Sequence, residues 1–328
     1  MRRRDLMAIL AGAAVAWPLA AHAQQDGRLP VIGYLNPTLL DGRTDQLRGF
    51  HQGLKETGYV EGENVAIEYR SANNQPDRLP ALAADLVRRR VAVIVAGTAP
   101  AILAAKETTT TIPIVFSTAD DPVRQGLVTS LAHPGGNLTG VNFLVLELVP
   151  KRLELLRQLV PGAVRVAVLV SPTNAALTEA TLQGVEPAAR TMGLQIQVLN
   201  ADTSREIDAA FMTLAPDRPD ALFVGSGPFF TSRRVQLTHW ATRVAIPAVF
   251  ASRPYVEAGG LISYGTNITE ANRQLGIYVG RILRGAKPAD LPVVQSTKFE
   301  LVINQQSARM LGLTVPPSLL ALADEVIE

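Results

Sequence analysis

Residues 31–38 read VIGYLNPT, and a similar pattern returns at residues 165–174, which read RVAVLVSPTN. Each stretch is a short, mostly apolar run that ends in Pro, Ser, Thr or Asn. A continuous apolar run of this length is typical of a strand whose two faces are both buried in a parallel sheet. The two stretches therefore predict two parallel sheets, each with polar residues at the carboxyl ends of its strands.

Runs of the same kind recur along the chain and form two series. The first series consists of the predicted strands Val31–Leu35, Val65–Tyr69, Val91–Ala96, Ile114–Ser117 and Thr139–Phe143. The second consists of Arg165–Val170, Gln195–Leu199, Ala221–Val224, Ala248–Ala251 and Leu261–Tyr264. Between them lie amphipathic helical patterns, such as the stripe of Leu47, Phe50 and Leu54. This alternation predicts an α/β fold of two Rossmann-like, doubly wound domains.

The chain is expected to pass three times between these two domains. Passages are predicted near residues 140–143 and 263–266, after which the helix Glu270–Leu283 returns to the first domain. We expect a signal peptide at 1–23, an N-terminal lobe of 29–141 plus 266–292, and a C-terminal lobe of 142–265 plus 293–328. Three passages form a hinge that can hold two well-defined states.

The N-terminus has the pattern of a secretory signal peptide. Three arginines, Arg2 to Arg4, precede the apolar run of residues 6–20, and Ala21-His22-Ala23 is a small-x-small cleavage sequence. The apolar run is shorter than the about 20 residues of a membrane span. The arginine pair leaves both the general secretory and the twin-arginine routes open. We therefore expect cleavage after Ala23 and a periplasmic protein.

The composition excludes several function classes. The chain has no cysteine, so a lipid anchor, disulfides and thiol catalysis are excluded. Without residues 1–23, Lys+Arg falls from 31 to 28 and Asp+Glu from 29 to 28, so the formal net charge of +2 becomes zero. A neutral chain argues against a nucleic-acid partner. The P-loop, HExxH and G-x-S-x-G motifs are absent, so we expect no catalytic group, no metal and no cofactor.

Ligands of open parallel sheets bind beyond the carboxyl ends of the strands, where this chain has mostly Ser, Thr, Asn and Gly. We expect ligand contacts from Asn36, Thr98, Ala99, Thr118, Asp121, Asn142, Ser171, Asn174, Gly227, Tyr255 and Tyr264. Asp121 has two interpretations, because its carboxylate suits a ligand ammonium but also caps a helix that Pro122 would open. Tyr255 and Tyr264 are suited to stack on an apolar or aromatic part of the ligand.

Several segments resemble those of one family of transport proteins. They are the N-terminal segment 1–6 with 16–20, Asp121-Pro122-Val123, residues 126–128, 134–140, 282–292 and 299–304, and Ala323–Ile327. Together they resemble the ABC transporter substrate-binding proteins, a family that includes tryptophan/tyrosine-type binders. The resemblance implies a type I periplasmic-binding-protein fold, and ligand contacts that include Asn36, Thr98 and Tyr264 of the set above. It also implies a membrane permease as partner.

The sequence therefore predicts a monomeric periplasmic solute-binding protein of an ABC importer. Its expected ligand is an amino acid or a related small carboxylate, which the two lobes would enclose by hinge closure. A ligand-sensing domain for a signalling partner is the alternative, because the same fold serves such receptors. A hydrolase or transferase on this fold lacks support from any catalytic pattern in the sequence.

Overall fold

The structure of the protein is a computed structural model that describes residues 29–38, 44–73, 75–143, 147–214 and 216–328. The expected signal peptide, residues 1–23, lies outside the described residues. Within those ranges, no helix combines the length and the apolar character that a bilayer span requires.

The described residues form thirteen strands. They are β1 Val31–Asn36, β2 Ala66–Ser71, β3 Val93–Gly97, β4 Ile114–Thr118, β5 Leu138–Phe143, β6 Arg165–Val170, β7 Gln195–Asn200, β8 Ala221–Val224, β9 Ala248–Phe250, β10 Ile262–Thr266, β11 Val294–Ser296, β12 Phe299–Asn304 and β13 Glu325–Ile327. The helices are α1 Thr44–Glu56, α2 Leu79–Arg88, α3 Ala99–Thr108, α4 Val149–Leu159, α5 Ala175–Met192, α6 Ser204–Leu214, α7 Pro228–Ser232, α8 Arg234–Arg243, α9 Arg253–Glu257, α10 Ile268–Leu283, α11 Gln305–Met310 and α12 Pro317–Leu322. Short 3-10 turns lie at Pro76–Arg78 and Pro288–Asp290.

The strands form two sheets, which confirms the predicted α/β fold of two similar halves. The first sheet has the order β11-β5-β4-β3-β1-β2, and all its strands are parallel. The second has the order β13-β12-β10-β9-β8-β6-β7, in which only the β10–β12 pair is antiparallel. We call the halves built on these sheets the first and the second lobe.

Both faces of each sheet are covered by helices, which explains the continuous apolar runs. In β1, Ile32 and Tyr34 pack into a core with α1 and α10, whereas Leu35 packs into a core with α2 and α3. In β6, alternate residues divide in the same way between a core that contains α4 and α5 and a core that contains α6 and α8. A strand buried on both faces needs apolar side chains at successive positions.

Helix α10 belongs to the first lobe and packs closely against α1. A Cβ atom placed on Gly53 would lie 1.9 Å from the carbonyl oxygen of Arg273, and one on Gly276 would lie 2.1 Å from that of Phe50. Because the backbones approach this closely, only glycine fits at these two positions.

The passages between lobes follow β5, β10 and β11. Residues 142–143 belong to β5, and the short strand β11 pairs with β5 in the first sheet. Strand pairing therefore moves the lobe boundaries a few residues beyond the expected 141 and 292. The sequence pattern missed β11 because three residues, Val-Gln-Ser, are too few to form an apolar run.

Candidate functional site

The register of the first sheet brings four expected ligand residues to one edge. β1 pairs with β3, β3 with β4 and β4 with β5, each in parallel, so their carboxyl ends lie side by side. Asn36 and Thr118 end their strands, Thr98 directly follows β3, and Asn142 pairs with Thr118. The lobe therefore presents these residues at the edge where ligands of parallel sheets bind.

Asn36 has an acceptor atom that the described residues leave unused. The side chain is 0% exposed, and its Nδ2 donates a 2.7 Å hydrogen bond to the carbonyl oxygen of Thr38. Among the described residues, the buried Oδ1 has no hydrogen-bond partner. A buried acceptor without a partner is costly, so this atom is suited to receive a donor from a bound solute.

Thr98 holds a strained backbone conformation at the first turn of α3. Its φ is 88° and its ψ is 146°, a region that glycine adopts but a β-branched residue rarely does. Its Oγ1 is buried and, within the part of the chain that the structure describes, has no partner. The hydroxyl does not cap α3, although Thr98 occupies the N-cap position. Strain of this kind clusters at binding sites.

The remaining polar residues of this edge hold the loops together. The Asn142 Nδ2 donates to the carbonyl oxygens of Thr118 and Asp120, at 3.3 and 2.6 Å. The Thr118 Oγ1 accepts from the Asp120 backbone N–H at 3.1 Å. The Asp121 Oδ1 accepts from the N–H groups of residues 123 and 124, at 2.9 and 3.2 Å. Of the two interpretations of Asp121, the geometry favours the cap, in a turn rather than in a helix.

In the second lobe, Ser171 and Asn174 also have partners within their loop. The Ser171 Oγ lies 2.5 Å from an oxygen of Asp202, which also accepts from the N–H of Thr173. These hydrogen bonds lower the pKa of Asp202, although burial opposes that shift. The Asn174 Oδ1 accepts from the Leu177 N–H and caps α5. Both residues therefore shape the end of β6.

Of the two expected aromatic contacts, Tyr255 is buried in the core and Tyr264 is half-buried in a strand. Tyr255 is 1% exposed and its ring stacks on Phe250, with centroids 4.7 Å apart, so both residues are part of the core. Burial raises the pKa of Tyr255. Tyr264 is half-buried within β10, where its ring centroid lies 6.2 Å from that of Phe299. Gly227 starts α7 with a φ of 147°. Tyr255 is thus removed from the candidate site by its packing.

Sequence reasoning missed Arg152, a cation in the core of the second lobe. It is 1% exposed, its Nη2 donates a 3.1 Å hydrogen bond to the Ser226 Oγ, and its Cζ lies 4.8 Å from the ring centroid of Phe223. Burial lowers the pKa of Arg152 to about 10, which leaves it charged at neutral pH. The signal was available in the sequence, because Arg152 lies on the apolar stripe of α4 with Val149 and Leu156.

A cavity of about 580 Å³ lies apart from these strand ends, between α1 and α10 of the first lobe and α9 and β12 of the second. None of the expected ligand residues lines it. Its charged walls pair with each other, as in the 2.6 Å contacts Arg253–Glu257 and Arg273–Glu270. We place the candidate site at the strand ends because the unpartnered polar atoms of Asn36 and Thr98 are there.

A smaller hollow lies at the carboxyl ends of β6 and β8. It is lined by two of the expected residues, Ser171 and Asn174, together with Gly225 and Ser226.

Across the described ranges, no group of three or more acidic or histidine side chains is arranged to hold a metal ion.

Comparison with known proteins links this arrangement to transport. A family model described as "ABC transporter substrate binding protein" matches residues 34–327. A tyrosine-binding protein from Clostridioides difficile is 27% identical over 267 residues, which make up 81% of this chain and 76% of that protein.

Two solved structures have similar folds. The ABC domain in complex with L-Trp from Streptococcus pneumonia is 25% identical, with a TM-score of 0.81, and the match covers 92% of this chain and 100% of that one. The ligand-free, open structure of a substrate-binding protein with adhesive properties from Clostridium difficile is 26% identical, with a TM-score of 0.70, over 91% of this chain and 99% of that one.

Proposed function

The chain belongs to the family of ABC transporter substrate-binding proteins, and we propose that its two lobes close on an amino acid or a related small carboxylate. As a member of this family it is a solute-binding protein that serves an ABC transporter. The family consists of binding proteins rather than enzymes. We propose three features: the class of the solute, the residues that contact it and the motion that encloses it.

The unpartnered polar atoms at the strand ends carry this proposal. Asn36 Oδ1 and Thr98 Oγ1 are buried at the ends of the neighbouring strands β1 and β3 in the first lobe. Thr266 Oγ1 is buried at the end of β10, where the chain leaves the second lobe. None of the three has a hydrogen-bond partner among the residues that the structure describes. Native proteins satisfy almost all buried polar groups, so a polar solute between the lobes is the natural partner.

Similarity to known structures supports closure around the solute. The two solved relatives have nearly equal identity and coverage, but the TM-score is 0.81 to the L-Trp complex and 0.70 to the ligand-free, open protein. The overall similarity of this chain is thus greater to the L-Trp complex than to the ligand-free, open protein, which supports the proposed closure.

The relatives also support an amino acid as the solute. One is a tyrosine-binding protein and another is solved with L-Trp, so aromatic amino acids are the first solutes to test. Their zwitterionic backbone suits the hydroxyl and amide groups at the strand ends, which donate and accept hydrogen bonds.

Thermal unfolding of residues 24–328 with a panel of solutes tests the proposal. We expect L-tyrosine, L-tryptophan or another amino acid to raise the Tm in a concentration-dependent way, because binding to the folded state stabilises it. Neutral sugars are the matched negative set. A panel of amino acids and small carboxylates that leaves the Tm unchanged, confirmed by calorimetric titration, would contradict the proposal.

We further propose that the chain is exported, loses residues 1–23 and acts in the periplasm as a monomer beside a membrane permease. The arginine-rich start, the apolar run and the Ala21-His22-Ala23 sequence support export. Expression with residues 1–23 followed by N-terminal sequencing should give Gln24 as the first residue of the periplasmic form. Recovery of the intact chain in the cytoplasm would contradict it, and light scattering tests the monomer.

A further inference from the structure

Arg152 is a buried positive charge that no carboxylate of the described residues neutralises. Its guanidinium has one hydrogen bond, to Ser226, and one aromatic contact, to Phe223. In the described part of the chain no carboxylate forms an ion pair with it, and its Nε and Nη1 have no hydrogen-bond partner. Taking a charge out of water without a counter-charge is strongly unfavourable, so the lobe maintains this cation at a cost in stability.

Ser226 connects this cation to the ligand-binding edge. It follows β8, and it lines the small hollow together with Ser171 and Asn174. The Ser226 Oγ accepts from Arg152 Nη2 at 3.1 Å, which leaves its hydroxyl hydrogen free to be donated to another group. Because Ser226 is part of the lining of the hollow, this donor is available to a group bound there.

We propose that Ser226, oriented and polarised by Arg152, forms the subsite of the second lobe that receives the carboxylate of the solute. This inference rests on the proposed solute-binding function and adds the chemical class of the group bound here. Ser226 donates to the carboxylate, and Arg152 is a positioning residue behind it. The carboxylate of the solute supplies the counter-charge that Arg152 lacks. Charge-assisted hydrogen bonds of this kind are about twice as strong as neutral ones.

Ser171, which also lines the hollow, agrees with this assignment. Its Oγ binds the carboxylate of Asp202, which also accepts from Thr173, so that carboxylate is held within its own loop. The guanidinium of Arg152 behind Ser226 then sets the orientation of a zwitterion, with its carboxylate toward Ser226. A neutral solute gains nothing from the charge of Arg152.

The test compares each amino acid with its amide, which lacks the carboxylate charge but keeps the side chain and the ammonium. Calorimetric titrations use L-tyrosine, L-tryptophan, L-leucine and their amides with the wild-type chain, Arg152→Met, Arg152→Lys and Ser226→Ala. Arg157→Met is the matched control, because Arg157 is on the same helix and donates only to the carbonyl oxygen of Val160.

We expect the wild type to prefer the acid over its amide by roughly 10–100-fold, the range for a hydrogen bond to a charged group. Arg152→Met and Ser226→Ala should reduce this ratio to near one, Arg152→Lys should restore part of it, and Arg157→Met should leave it unchanged. A purely structural role of Arg152 would weaken acid and amide equally, so the ratio separates the two roles. Ser226→Ala keeps the test decisive if Arg152→Met does not fold.

Two outcomes overturn the inference, and they differ. If the wild type binds an amino acid but Ser226→Ala and Arg152→Met keep the acid-to-amide ratio, the subsite is wrong and the solute-binding function stands. If no amino acid or small carboxylate binds, even where a neutral solute does, the proposed function fails and the subsite fails with it.

Discussion

Asn267 Nδ2 donates a 3.0 Å hydrogen bond to Glu300 Oε2, and this bond joins the second passage between the lobes to the third. Asn267 also caps α10, because its Oδ1 accepts from the Glu270 N–H at 2.8 Å. Glu300 is 9% exposed at the start of β12. The hinge therefore contains a mostly buried carboxyl group whose ionisation affects stability.

Glu300→Gln should stabilise the protein at neutral and alkaline pH. Burial raises the pKa of Glu300, the charges of Asp324, Glu257 and Glu325 raise it further, and Arg253 opposes them. A raised pKa in the folded state contributes stability below the unfolded pKa that is lost as the pH rises through the folded pKa. Glutamine keeps the acceptor for Asn267 without the charge. We expect the Tm to rise by about 2 °C at pH 8, as for a change of the order of 1 kcal/mol.

At pH 4 the glutamine variant and the wild type should melt at nearly the same temperature, because the carboxyl group is then mostly protonated in both states. Glu147→Gln, at an exposed position, is the control and should show no such pH dependence. A wild type that is at least as stable as Glu300→Gln at pH 8 would contradict this account of the hinge.

Thr98→Gly should stabilise the ligand-free protein and weaken solute binding. The φ of 88° and ψ of 146° are strained for threonine and relaxed for glycine, so denaturant unfolding should show a gain of roughly 1 kcal/mol. The same change removes Oγ1, which we propose as a solute contact. Thr98→Ser separates the effects, because it keeps the hydroxyl and the strain. A glycine variant less stable than the wild type would show that the conformation is not strained.

Asn36→Ala should weaken solute binding by roughly 10-fold, the cost of one lost hydrogen bond from a charged donor. The unpartnered Oδ1 at the end of β1 is the atom removed. Asn64→Ala is the control, because Asn64 lies in the exposed loop before β2 and bonds only to backbone groups of residues 58 and 60. Calorimetric titration with the solute found by the panel measures both. Equal affinities in the two variants would move the site away from β1.

Gly53→Ala should destabilise the first lobe strongly. The new Cβ would lie 1.9 Å from the carbonyl oxygen of Arg273, so α10 must shift away from α1. We expect a loss of roughly 3 kcal/mol in the free energy of unfolding, the upper range for overpacking. Gly162→Ala is the matched control, since nothing lies within 4 Å of its Cβ position. A Gly53→Ala variant as stable as the control would mean that the two helices adjust freely.

The sequence by itself determined that there are two α/β lobes. It also determined where ten of the strands lie along the chain and that their ends are polar. Those features depend on periodicity within short segments, which any sheet with two covered faces imposes. The return of α10 to the first lobe followed from the same alternation, whereas the short strand β11 did not, because its pairing with β5 involves residues about 150 positions earlier.

Only the tertiary structure decided how the polar side chains are used. Asn36 and Asn142 are both asparagines at strand ends. Within the described ranges, the Oδ1 of Asn36 has no hydrogen-bond partner, whereas the Nδ2 of Asn142 donates to two loop carbonyls. The ring of Tyr255 packs in the core against Phe250, and Arg152 donates a hydrogen bond to Ser226, which lies 74 positions later in the sequence. Local patterns specify which residues reach an edge, but hydrogen-bond partners and charge neutralisation depend on distant segments that only packing brings together.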